Sequence, residues 1–221
     1  MTGGRAERRM ARFGALLGVI ALGACGSGHA ATTPPTSTQP APAAIGLREG
    51  NLPAGWTQTG TRASPDAVQN NQLFGCLGLP APLLVSQTAS PQFSDAALSA
   101  YSVTTVLPTT TAATAYLAAV SPPGFTRCAA VQVPQVFNSM PPGTSFGSPT
   151  VAVGTMPKIA EGSASFRLTM PISTNGTAST ATADLIFVQD RTAVVEVVFV
   201  GTSSPLSSAT EGSITQSIVS A

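Results

Sequence analysis

Three cysteines, one histidine and nine acids are the side chains of this 221-residue chain with the chemistry to attack, ligate or move a proton. A Ser-His-Asp or Cys-His system needs an imidazole beside its nucleophile. His29 is the only histidine, and it lies in a stretch dominated by proline and threonine, outside any periodic segment. Asp184 and Glu196 fall on neighbouring predicted strands, with Arg167 near them if the hairpin register allows. Two carboxylates and a guanidinium can do general acid and base work. The same trio also makes an ordinary ion pair on a solvent-facing sheet, and that is the expectation here. A structural zinc site wants four nitrogen or sulfur ligands, and the cysteines cannot supply them. No Gly-x-Ser-x-Gly elbow and no Walker or Rossmann glycine loop is present. The chain is therefore expected to be no enzyme, with no catalytic residue, metal or cofactor.

The remaining cysteine, Cys25, closes the stretch Leu22-Gly23-Ala24-Cys25. An apolar run from Phe13 to Ala21 precedes it, and Arg5, Arg8, Arg9 and Arg12 precede that run. The arrangement resembles a bacterial lipoprotein signal ending in a lipobox. The resemblance implies cleavage between Ala24 and Cys25, palmitate-type acylation of Cys25, and anchoring at the cell membrane on its extracytoplasmic side. The apolar run is shorter than the roughly 20 residues that span a bilayer. Glu7-Arg8-Arg9-Met10-Ala11-Arg12 suits a twin-arginine signal as well as a general one, so the export route stays open.

Only 9% of the chain is charged. Four of its ten bases and one of its nine acids precede Cys25, which leaves six against eight, a net charge of −2. No basic cluster survives to grip nucleic acid or anionic lipid. With Cys25 acylated, Cys76 and Cys128 form an even pair in an oxidising compartment, and a Cys76–Cys128 disulfide is expected.

These features divide the chain into a signal peptide over 1–24, a lipidated Pro/Thr-rich tether over 25–46 and one α+β domain over 47–221. The tether has no apolar period and cannot bury enough surface to order itself. In the domain, Leu52-Pro53-Ala54-Gly55-Trp56 feeds a first strand at Thr57-Gln58-Thr59, with Trp56 as a buried anchor. Ser64-Pro65-Asp66 has the order N-cap, first-turn proline, acid, and predicts a helix towards Cys76 that stops at Gly78 and Pro80. Pro80 to Phe93 reads as a loop, and Tyr101 to Leu107 as a strand. Thr109 or Thr110 caps a helix whose apolar positions Ala113, Tyr116, Leu117 and Val120 share one face. After Pro122-Pro123-Gly124 the chain returns to the body at Phe125 and Cys128. Val131 to Gly143, with three prolines, reads as a loop.

From Phe146 the pattern changes to strands. Ala164, Phe166, Leu168, Met170 and Ile172 alternate with Ser163, Ser165, Arg167 and Thr169, the period of a sheet with one buried face. Asn175-Gly176 turns into Thr180 to Val188. Asp190-Arg191 turns into Thr192 to Val200, which is apolar on both faces and is expected to be central. Phe166, Leu168 and Phe199 are expected to share one core. Ser204-Pro205 is expected to open a C-terminal helix carrying Leu206, Ala209, Ile214 and Ile218. The order predicts an α+β fold: an antiparallel sheet, a meander near its C-terminus, flanked by helices.

The acylated cysteine, the tether, the Leu52-Pro-Ala-Gly-Trp56 entry, the capped Ala/Tyr/Leu helix, the meander and the terminal helix together resemble mycobacterial LpqN-type lipoproteins. That resemblance implies a PsbP-like sandwich, and O-mannosylation of the tether threonines. Cys76-Leu77-Gly78 and Phe125-Thr-Arg-Cys128 are similar to cysteine contexts in extracellular sensor domains of the PknH kinase type. Those domains carry two disulfides, and this chain has cysteines for one. Asn175-Gly176-Thr177 matches a glycosylation acceptor but is more simply turn chemistry. Two functions remain: an interaction or sensor module facing an envelope protein, or a carrier holding an acyl lipid between sheet and helices. A carrier needs a large apolar cavity, whereas a module is packed solid.

Overall fold

The computed structural model describes residues 45–220 apart from 66, 81–83, 97, 121–123, 137–142, 155–158, 160–161 and 203–205. The predicted signal, its Ala24–Cys25 junction and most of the tether lie outside the described residues.

Nine antiparallel strands form one sheet: β1 (Thr57–Gly60), β2 (Ser86–Ala89), β3 (Gln92–Asp95), β4 (Leu98–Val106), β5 (Thr144–Phe146), β6 (Thr150–Val153), β7 (Ser163–Thr174), β8 (Thr177–Asp190) and β9 (Ala193–Gly201). Their order across the sheet is β1-β3-β4-β9-β8-β7-β5, with β2 also on β4 and β6 also on β7. Thus β2 and β3 lie end to end along β4, and β5 and β6 end to end along β7. Pro171, which has no amide hydrogen to give, sits in β7 where that outer edge is interrupted, and its carbonyl accepts from Gly147 N. As expected, β9 is central, and the β7–β8 turn uses Asn175 and Gly176 at positive φ.

The long β7, β8 and β9 impose period-two burial on both faces. One face meets α1 (Ala67–Leu77), α2 (Thr110–Val120) and α3 (Gly124–Val136); its core includes Phe74, Tyr116, Phe125, Phe166, Leu185, Phe187 and Val198. Phe125 stacks on Phe166 with centroids 4.2 Å apart, and Phe187 meets both rings edge-on. The other face carries Trp56, Phe93, Ile186, Val188, Val197 and Phe199 under α4 (Ser208–Val219), with Ile45 and Leu47 laid across it. That strap is pinned by Leu47 N donating to Ser102 Oγ, and by Thr104 Oγ1 donating to Ile45 O. The sheet between helices is the expected α+β arrangement.

Four expectations are corrected. Pro80 to Phe93 is not all loop, because β4 offers a ladder edge that organises the polar β2 and β3. Val131 to Val136 is helical: α3 places Phe125, Cys128 and Ala129 on the sheet at i, i+3 and i+4. Pro134 lies in its last turn, where it has no amide hydrogen to give to the helix. A Cβ at Gly124 would come within 2.2 Å of Ala119 O, so glycine is required at the α2–α3 corner. The C-terminal helix starts at Ser208, capped by Ser207, so Leu206, expected within it, precedes it; Ser204 and Pro205 lie outside the described residues. Finally, Phe199 does not share a core with Phe166 and Leu168. Phe166 pairs with Leu185 and Leu185 with Val198, so Phe199, one residue on, faces α4. Both faces of β9 are apolar, so its sequence alone could not tell which phase matched β7.

Cys76 and Cys128 are bonded, with Cα atoms 5.7 Å apart, and join α1 to α3. Closing this 52-residue separation constrains the unfolded chain by about 4 kcal/mol on the loop-entropy model.

Candidate functional site

The register that separates Phe166 from Phe199 also builds the most polar ground on the sheet. Arg167 and Asp184 are direct cross-strand partners on the α4 side. Arg167 Nε donates to Asp184 Oδ1 at 2.7 Å and Nη2 to Oδ2 at 2.8 Å, a side-on bidentate pair. The Asp184 side chain is 9% exposed and the Arg167 side chain 39%, so the carboxylate is buried beneath a part-exposed arginine. Holding the pair raises the guanidinium pKa, chiefly through its hydrogen bond to Asp184.

Above them sits the start of α4. The Ser207 side chain accepts from Thr210 N at 3.2 Å, and Ser207 O accepts from Glu211 N. This cap turns Glu211 down onto the pair, and only 2% of Glu211 is exposed. Burial first, then the Asp184 charge and a hydrogen bond to Asp184, push the Glu211 carboxyl well above the usual carboxylate range; Arg167 pulls the other way. Glu211 Oε1 is shielded from water and has no hydrogen-bond partner. An open cleft of about 430 Å³ lies here, lined by Val153, Gly154, Arg167, Asp184, Leu206, Ser208 and Glu211 among others. Gly154 belongs to its wall for a steric reason, since a Cβ there would lie 2.5 Å from Ser165 Oγ.

Glu196, which could have joined Asp184 as a second carboxylate, is elsewhere. It pairs with Phe187 and Val103 and so projects from the opposite face, towards α1 and α2. Burial pushes its pKa up to about 7, against the pull of Arg62. Arg62 stacks over the Tyr101 ring at 3.5 Å. Asn70, Gln87 and Thr105 form a hydrogen-bonded chain beside it. The space between Glu196 and that chain is about 10 Å³, room for about one water and no ligand. The conceivable Asp184/Glu196 carboxylate pair therefore does not form, while an ion pair does, between Arg167 and Asp184, with Asp184 buried rather than on an open face.

Glu211 is the residue of this cleft that reading by residue type missed. The signal was present: Glu211, Ile214, Thr215 and Ile218 follow i, i+3, i+4 and i+7, and all four are buried. Cys25 and His29 lie outside the described residues. Among the described residues no three metal-ligating side chains come together, and no helix is long and apolar enough to cross a membrane.

No family model matches the chain, and no curated protein matches it. Among solved structures it is weakly similar to the extracellular domain of PknH from Mycobacterium tuberculosis, at 10% identity over 75% of this chain and 82% of that one, with a TM-score of 0.37. It is more weakly similar to PA94 of Pseudomonas aeruginosa, a protein of unknown function, at 17% identity over 53% of this chain and 69% of that one, with a TM-score of 0.23. Likenesses this loose carry no functional argument, and the LpqN-type resemblance rests on the sequence features alone.

Proposed function

We propose that the chain is a lipid-anchored, non-enzymatic binding module on the extracytoplasmic side of the cell membrane, and that the α4 cleft is where it binds. The observation that carries the reading is the cleft itself: about 430 Å³, lined by the part-exposed Arg167 side chain, which a buried carboxylate holds through two hydrogen bonds. Both oxygens of Asp184 are tied up by Arg167, which favours binding over chemistry. Lipid anchoring is supported by the basic flank, apolar run and Leu22-Gly23-Ala24-Cys25. The Cys76–Cys128 bond suits an oxidising compartment. What speaks for a module rather than a carrier is the filling of the sheet–helix layer, where an acyl chain would lie. Phe74 stacks on Tyr116 there at 5.0 Å, and Phe125, Phe166 and Phe187 fill the space beside them.

The test is photo-cross-linking in the intact envelope. A photoreactive residue replaces Val153, which is 62% exposed on the rim of the cleft. A discrete adduct, absent when the same group is placed at the remote Val68, is the expected result. No adduct at Val153, or the same adducts at both positions, refutes the cleft as a binding site.

A further inference from the structure

On the other face of the sheet, α1 is fastened in two different ways along its length. Its second half carries Leu73, Phe74 and Leu77 into the core, and Cys76 there is bonded to Cys128 of α3. In its first half Val68 is 63% exposed, and the residue turned inward is Asn70. Asn70 Nδ2 donates to Gln87 Oε1 at 2.8 Å, and Gln87 Nε2 donates to Thr105 Oγ1 at 2.9 Å. The chain leading into the helix is held in the same manner, with Ala89 N donating to Ser64 Oγ at 3.0 Å. Such bonds exchange for bonds to water at small net cost, whereas apolar contacts and a disulfide do not. The first half of α1 is therefore the end that opens, and the second half is its hinge.

Beneath the opening end stands Glu196. It is part-buried on the central β9, in the pocket of about 10 Å³ that Pro65, Gln69 and Asn70 line from one side and Tyr116 from another. Tyr116 is 6% exposed, and its hydroxyl has no hydrogen-bond partner among the described residues. One water fits this space and can bond both the hydroxyl and the carboxyl. A protonated carboxyl needs little more, whereas a carboxylate needs several donors. The charged and titratable groups facing Glu196 are Arg62 from the β1–α1 connection, Tyr101 from β4 and Tyr116 from α2; the described part of α1 brings the uncharged Gln69 and Asn70. Burial pushes the Glu196 pKa up to about 7, and Arg62, acting through space from its seat on Tyr101, opposes that without prevailing.

We infer that the first half of α1 is a lid over Glu196, closed while the carboxyl holds its proton and lifted on the Cys76–Cys128 staple when it ionises. Water entering under the lifted helix supplies the donors that the closed pocket lacks. The domain thereby presents one α1 surface in acid and another above neutrality. The lid and the α4 cleft lie on opposite faces of the sheet, so this device goes beyond the binding reading and does not depend on it. The sign follows from linkage. Between the ordinary carboxylate value of 4.5 and about 7 the open form ionises and the closed form does not, so opening grows with pH by up to about tenfold per unit and then levels.

The experiment is hydrogen exchange read by mass spectrometry on the full chain in detergent, from pH 5 to pH 8, with each rate divided by the intrinsic rate at that pH. Amides in the first half of α1 should be protected at least a hundredfold less than those of β9, because the lid opens without the fold. Their protection should fall at least tenfold from pH 5 to pH 7 and level off above that. Glu196→Gln keeps the shape and cannot ionise, so its α1 protection should hold within about twofold across the range. Glu211→Gln, on the other face, should keep the wild-type dependence. Equal protection of α1 and β9 overturns the lid, since the helix would then open only with the whole domain. A flat wild-type profile overturns the inference, as does a slope that survives in Glu196→Gln or vanishes in Glu211→Gln. The wild-type profile needs no variant, and it decides alone if Glu196→Gln does not fold.

Discussion

Replacing Glu211 by glutamine should stabilise the domain, and by an amount that depends on pH. The carboxyl is 2% exposed, its main neighbour is a carboxylate, and its pKa is raised above the ordinary value of 4.5. A raised carboxyl pKa means that the folded state holds a proton the unfolded state has released. Below about 4.5 both states are protonated and the site costs nothing. As pH rises from there through the folded value, the unfolded chain gains from ionising and the folded one does not. Stability therefore falls at about 1.4 kcal/mol per pH unit across that window. By pH 6.5 the accumulated loss is of the order of 2–3 kcal/mol, a large share of the roughly 5–15 kcal/mol that domains hold. Glutamine carries no proton to lose, and its amide can donate to Asp184 in the carboxyl's place. Urea denaturation of wild type and Glu211→Gln, at half-unit steps from pH 4.5 to 8, should give curves that coincide at the acid end and diverge steadily. Glu196 adds a slope of the same sign up to about pH 7, but it is common to both proteins and cancels in the difference. Parallel profiles would refute the reasoning, because they require Glu211 to be ionised and hydrated in the folded protein.

Phe166→Ala should cost about 3–5 kcal/mol in the same assay, near the top of that range because two ring contacts go with it. Phe199→Ala should cost a similar amount, and the two should add within about 0.5 kcal/mol because the sheet separates them; strong coupling would put both rings in one core. Cys76→Ser with Cys128→Ser should lower stability by about 2–4 kcal/mol, and non-reducing peptide mapping of the wild type should join the two peptides. Cys25→Ala should abolish acyl labelling and leave the protein unprocessed or released from membranes; unchanged size, label and partition would exclude Cys25 as the anchor.

The sequence was most legible where one face of an element is apolar and the other polar. Ala113, Tyr116, Leu117 and Val120 name the buried side of α2 without ambiguity, and Phe166, Leu168 and Met170 do so for β7. Legibility failed for two physical reasons. Short edge strands such as β2, Ser-Gln-Thr-Ala, owe their form to the partner β4, so nothing local announces them. Where both faces are apolar, as in β9, the period is visible but the phase is not. That missing phase put Phe199 in the wrong core and Glu196 beside Asp184, because parity along β8 and β9 decides both.

Glu211 failed to stand out for the opposite reason: the pattern was clear and its meaning was not. An acid at the head of an otherwise buried stripe contradicts the stripe, and judged by residue type alone it is a surface residue. In the fold, the contradiction becomes the arrangement that matters. α4 must bury Ile214 and Ile218 against Val197 and Phe199, and the same packing drives Glu211 onto Asp184. The helix cannot lift the carboxyl into water without opening that apolar contact. Consistency between local pattern and global fold is the rule for a stable chain, and departures from it gather where a protein does its work. Here one departure accounts for two features at once: an acid whose burial raises its pKa, and a carboxylate, Asp184, buried between that acid and Arg167. The two charge-assisted hydrogen bonds from Arg167 are what let Asp184 lie that deep.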